Sequence, residues 1–303
     1  MVEEIRNENE FRIFAMRRSG HHAIVNWIAG MCDEPVYYFN GCRLGVNPFD
    51  GSRISRGDHN EALRKLYRQT KRQLEVELRP IKKKYLMYDY EDKRFTDYEK
   101  YGIVEHKDLL IGKSRNEYEI LITRDVFNWI ASLIIMRGIG RKTLAEENDL
   151  GDNHKFGHQI WGGGYRKVFK RLQTWGEYAK ELLNETNYLK HNKICIFFDK
   201  WVTDVDYRKS IASHLNLNYN EDMIKYVGAI ADDGSSFDGV DYDGKAQDMD
   251  VLNRWKVFEN NPIYWGILKY KKWKYLIELN TKIYKYLNIP ISEECIEKAI
   301  SQS

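Results

Sequence analysis

The sequence predicts an α/β fold, a parallel β-sheet flanked by helices, on three observations. Short apolar runs of strand length alternate with longer stretches at helical spacing. The segment from Phe11 to Ile28, FRIFAMRRSGHHAIVNWI, passes from strand to helix within six residues. Charged residues follow the apolar runs directly, as at Arg17, His106, Arg124 and Asp199, and ligands collect outside the carboxyl ends of strands in an open parallel sheet. A chain of 303 residues that is 43% hydrophobic can bury one large core, so a single domain over residues 1–303 is expected, with substrate-side insertions at about 43–85 and 138–164.

The first strand is read from Phe11, Ile13, Phe14, Ala15 and Met16, and the first helix from Ala23, Ile24, Trp27 and Ile28. The turn between them leaves helical N–H groups without partners at the positive end of a helix dipole, which favours an anion. Gly20 permits close approach of the backbone, Ser19 offers a hydroxyl, and Arg17 and Arg18 bring charge. The nucleotide-triphosphatase pattern G-x-x-x-x-G-K-[ST] is not met, because Ala15 and His21 stand where it needs Gly and Lys.

Val36 to Phe39 reads as a second strand and is followed by a loop through Gly57. Residues 60–84 read as a helix that Pro80 ends, with nine basic residues against three acidic ones, a pattern that suits a solvated face. A brief strand over residues 102–105 ends at His106, with Leu109 and Leu110 in the loop beyond. Glu119 to Thr123 is a strand with Arg124 and Asp125 at its end, before a helix from Val126 to Met136. Residues 137–164 are rich in Gly and polar residues, and His154 and His158 there are expected to be an ordinary surface pair. A helix from Tyr165 to Glu185, a strand from Ile194 to Phe198 ending at Asp199, and a helix around Tyr207 to Leu215 complete the alternation. The Gly- and Asp-rich stretch over residues 231–248 reads as a loop that closes over something, and the aromatic- and Lys-rich C-terminal third as amphipathic core helices with snorkelling lysines.

A net charge of +3 implies no nucleic-acid partner. Cys32, Cys42, Cys195 and Cys295 form no C-x-x-C pair, so reduced thiols, a cytoplasmic setting and no structural zinc are expected. No run of about 18 apolar residues occurs, so no membrane association is expected.

The loop Arg18-Ser19-Gly20-His21-His22 resembles the 5′-phosphosulfate loop of sulfotransferases that use 3′-phosphoadenosine 5′-phosphosulfate (PAPS), and TRDVFNWIASLIIMR resembles their 3′-phosphate motif, with Ser132 eight residues after Arg124. The stretches FFDKWVTDVDYRKSIASHLNL, GSSFDG and LNRWKVF are similar to later segments of that family in the same order, so the likeness runs from about Phe11 to Phe258. The resemblance implies the P-loop NTPase-like sulfotransferase fold, PAPS as donor, no metal, and a small-molecule acceptor bearing a hydroxyl or amine. It implies nucleotide contacts from Arg17, Arg18, Ser19, Gly20, His21, His22, Arg124, Ser132, Ser235, Ser236 and Lys245. It makes His106 the general base, Arg18 the clamp on the leaving phosphate, and His21 and His22 reserve bases. Arg18 replaces the family's more usual Lys, and two histidines stand at its small polar positions. Asp232, Asp233, Asp238, Asp241 and Asp243 would favour a cationic acceptor, against the plainer reading of a solvated acidic loop. A small-molecule kinase and a non-catalytic nucleotide-binding protein are the rival functions.

Overall fold

Six strands form one sheet in the computed structural model of the chain, which describes residues 4–46, 53–57, 81–101, 112–136, 165–226, 238, 241–261, 264–265, 268, 273–291 and 294–297. The strands are β1 (Ile5–Ala15), β2 (Val36–Asn40), β3 (Arg53–Gly57), β4 (Lys83–Glu91), β5 (Lys113–Thr123) and β6 (Ile194–Phe197), in the order β3-β2-β4-β1-β5-β6. Five of them run parallel, and β3 pairs antiparallel with β2 at one edge. The expected parallel sheet flanked by helices is present.

β1 is central, with β4 on one side and β5 on the other. Its side chains alternate between two cores, as a strand buried on both faces requires. Phe11, Ile13 and Ala15 pack with Ile24, Val25, Trp27 and Ile28 of α1 (His21–Gly30) and with Ile211 of α6 (Val205–His214), which follows α5 (Phe198–Thr203). Phe14 and Met16 join the opposite core. There α3 (Val126–Met136) supplies Trp129 and Ile130, α4 (Tyr165–Leu182) supplies Trp175 and Tyr178, and α7 (Lys274–Tyr286) supplies Leu276, Leu279 and Ile283. The exposed Lys274, Lys282 and Lys285 bear out the amphipathic reading of α7. The remaining helix, α2 (Phe95–Tyr101), follows β4.

The structure corrects two expectations. Arg53–Gly57 is a strand where a loop was expected, and Lys83 and Lys84 open β4 where the helical reading extended to residue 84. β4 has weak strand propensity at its charged ends, but the ladder to β1, with Phe11 opposite Met87 and Ile13 opposite Asp89, overrides it. Lengths also differ, since β1 begins at Ile5 rather than Phe11 and α1 at His21 rather than Ala23. The expected strand at 102–105, the helix over most of 60–82, and the insertion at 137–164 lie outside the described residues.

Candidate functional site

The turn from β1 into α1 holds two residues with positive φ: Arg18 at 67° and Gly20 at 83°. For Arg18 such a backbone is uncommon, and strain of this kind persists where surrounding structure enforces it. Gly20 has a second reason, because a Cβ there would meet the Phe198 ring at 2.2 Å. Only glycine lets α5 pack this close to the loop. The Ser19 hydroxyl and His21 Nε2 are buried, and neither has a hydrogen-bond partner among the described residues.

The carboxyl end of β4 adds acids beside this loop. Asp89, fully buried, accepts from the Tyr38 hydroxyl and, at 2.5 Å, from the Gly41 N–H. Glu91 accepts from Arg17 Nε at 2.9 Å and Nη2 at 2.8 Å. His21 Nε2 lies 3.7 Å from Asp89 and 3.8 Å from Glu91, beyond hydrogen-bond reach, and its ring is 4.0 Å from that of His22. Burial, aided by Arg18 and Arg17, pulls the His21 pKa down to about 3, so the ring is neutral near pH 7.

The end of β5 carries the second half of the site. Arg124 is 1% exposed and stacks 4.9 Å above the Phe198 ring. Its Nη1 donates to the Ser132 hydroxyl at 3.2 Å and to the Arg18 carbonyl at 3.4 Å, and its Nη2 donates to the Val251 carbonyl. No carboxylate pairs with it among the described residues, and its Nε has no hydrogen-bond partner there. Ser132 sits two turns into α3, on the face that brings its hydroxyl back to the strand end.

Arg254, just before Trp255 in LNRWKVF, reaches the same hydroxyl, with Nη1 at 3.4 Å from Ser132 Oγ. Its Nη2 pairs with Asp238 at 3.2 Å. Burial and the neighbouring Arg124 pull its pKa down to about 9. Two buried guanidinium groups therefore converge on one hydroxyl and repel each other, an arrangement that a multivalent anion between them would relieve.

Both halves line one cleft of about 420 Å³, together with Trp201, Ile224 and Tyr226. That volume lies in the range of small-molecule sites. The structure thus brings Arg17, Arg18, Gly20, His21, His22 and Arg124 into one cleft, with Ser19 and Ser132 in the elements that frame it. Lys245 is exposed over the Tyr242 ring, at 5.5 Å, and is absent from the cleft lining, where Arg254 stands. His106, Ser235 and Ser236 lie outside the described residues. Arg254, Glu91 and Asp89 were not foreseen. The likeness of LNRWKVF rests on its Trp and Phe, and most of the strand that ends at Glu91 lies past the helix expected over 60–84.

No protein-family model and no curated protein matches the sequence. In structure the chain is similar to a sulfotransferase from Alicyclobacillus acidocaldarius, at 10% identity and a TM-score of 0.43 over 97% of this chain and 99% of that one. It is similar to the sulfotransferase domain from the curacin biosynthetic pathway, at 13% identity and 0.42 over 94% and 99%. It is similar also to mouse sulfotransferase SULT7A1 complexed with PAP, at 12% identity and 0.41 over 91% and 88%. No helix among the described residues is long and apolar enough to cross a membrane.

Proposed function

We propose that the chain is a cytoplasmic sulfotransferase that moves a sulfuryl group from PAPS to a hydroxyl or amine of a small-molecule acceptor. The observation that carries this reading is the convergence of Arg124 and Arg254 on Ser132, in a cleft that the loop before α1 also lines. Two separate anion sites in one cleft fit a nucleotide phosphorylated at two places, and Trp201, Ile224 and Tyr226 suit its base. The donor would supply the sulfuryl group and leave as adenosine 3′,5′-bisphosphate.

The chain's own residues position and neutralise. Arg18, its charge fixed, faces the cleft beside the N-terminus of α1, where the charge of a leaving phosphate would fall. Neutral His21 stands at the same point, with His22 beside it. The acceptor hydrogen passes to a base while its oxygen or nitrogen takes the sulfuryl group. His106 is the base in this reading, and Glu91 is a second candidate because its side chain lines the cleft at the end of the strand next to β1. His21, with its pKa near 3, is a weak base for the task.

Adenosine 3′,5′-bisphosphate should raise the melting temperature well above the shifts given by AMP, ADP or ATP at the same concentration. Saturation at about 100 times the dissociation constant adds roughly 2.7 kcal/mol, a shift of several degrees. Arg124→Ala should erase the preference. Equal shifts for ATP and the bisphosphate would sink the reading.

A further inference from the structure

Under Arg124 lie two buried carboxylates, Asp125 at 4% and Asp199 at 5% exposure. Asp125 is saturated with donors. Its Oδ1 accepts from the Asn128 N–H at 2.8 Å and from Asn128 Nδ2 at 3.1 Å, and its Oδ2 accepts from Asn280 Nδ2 at 2.8 Å and from the Tyr284 hydroxyl at 3.3 Å. Asp199 Oδ2 accepts from the Asp125 N–H at 2.9 Å. Asp199 Oδ1 is buried with no partner among the described residues.

These contacts fix both anion ligands. Asp199 holds the peptide that follows Arg124, and Asn280, on α7, accepts from the Val126 N–H at 3.1 Å and so anchors the first turn of the helix that carries Ser132. The charged and titratable groups facing the pair are Arg124 from the end of β5, Tyr284 from α7, and Tyr264. Arg124 lends its field to both carboxylates in this closed, low-dielectric site without pairing directly with either.

We propose that Asp125 and Asp199 are positioning residues of the phosphate site and hold one proton between them when a phosphate sits on Arg124. The inference rests on the phosphate-site reading given above. Arg124 lends both carboxylates a field that favours their ionised forms; a phosphate on its cleft side weakens that field, and two like charges in one buried site do not both stay ionised. The proton comes from solvent and has a place on Asp199 Oδ1, the oxygen that accepts no hydrogen bond. Burial and the neighbouring Asp125 already push the Asp199 pKa well above the usual carboxylate range, so the uptake is readable near neutral pH.

Calorimetric titration with adenosine 3′,5′-bisphosphate near pH 7, repeated in buffers of different ionisation enthalpy, gives the number of protons taken up per nucleotide bound. The wild type should take up more protons per nucleotide than Asp199→Asn, because the variant has no carboxylate at that position to be driven to the protonated form. The asparagine keeps an acceptor for the Asp125 N–H, so the variant still binds. The ligand's own phosphates titrate near pH 6 and contribute equally to both proteins, so the difference isolates the pair. Asp125→Asn should remove the uptake too and serves as the comparison if Asp199→Asn does not fold. If neither folds, wild-type affinity should rise as pH falls from 8 to 7. Nucleotide binding with the same proton count in wild type and variant, or with affinity flat over that range, overturns the proposal alone. No binding heat and no melting shift for the bisphosphate overturns the phosphate-site reading and this proposal with it.

Discussion

His21 shows how one side chain can carry a pH signature that the sequence does not show. In the unfolded chain it titrates near its ordinary value of 6.5, whereas burial and the adjacent arginines hold it near 3 in the fold. Between those values the unfolded chain binds the extra proton, so stability falls as pH drops through 6.5, by about 1.4 kcal/mol per pH unit at most. Denaturant titrations at pH 7 and pH 5 should show a smaller difference for His21→Gln than for wild type. An unchanged difference would assign the acid sensitivity to another group. The base is also decided at this scale. His106→Ala should lower kcat by about 10² to 10⁴ while leaving bisphosphate affinity near that of the wild type. If His106→Ala keeps more than a tenth of the rate and Glu91→Gln loses it, the base is Glu91.

At the scale of elements, the site is made by strand ends and helix starts, so its precision depends on how those junctions are held. α6 starts at Asp204, whose side chain accepts from the Tyr207 N–H at 2.9 Å. Asp204→Ala should cost about 1 kcal/mol, or roughly 2 to 4 °C in melting temperature, with nucleotide affinity unchanged, because Asp204 is absent from the cleft lining. A loss of nucleotide affinity would mean that α6 communicates with the cleft. The junction of β5 and α3 is tied instead by Asp125, Asn128, Asp199 and Asn280, whose contacts span up to 155 positions in sequence. Propensity along the chain predicts the helix there, but nothing local reveals that α7 supplies the partner for its first turn.

For the whole molecule, the proposed chemistry asks for no metal ion, because Arg18 and the α1 terminus would face the place where charge appears, with Arg124 and Arg254 in the same cleft. Chelator should leave the sulfuryl-transfer rate unchanged. A strict Mg²⁺ requirement would favour the kinase reading.

The sequence by itself determined the parallel sheet, because strands buried on both faces are written as apolar runs such as those in β1 and β5, which no polar partner can replace. It also determined the turn from Arg17 to His22, a local property, while the pairing of Arg124 with Ser132 came from the family resemblance of TRDVFNWIASLIIMR. Tertiary structure alone decided that β4 lies beside β1, that Glu91 and Asp89 therefore reach the loop, and that Arg254 rather than Lys245 meets Ser132. These are contacts between residues up to 122 positions apart. They depend on which elements the sheet and its two cores bring together, and a pattern read along the chain holds no information about that distance.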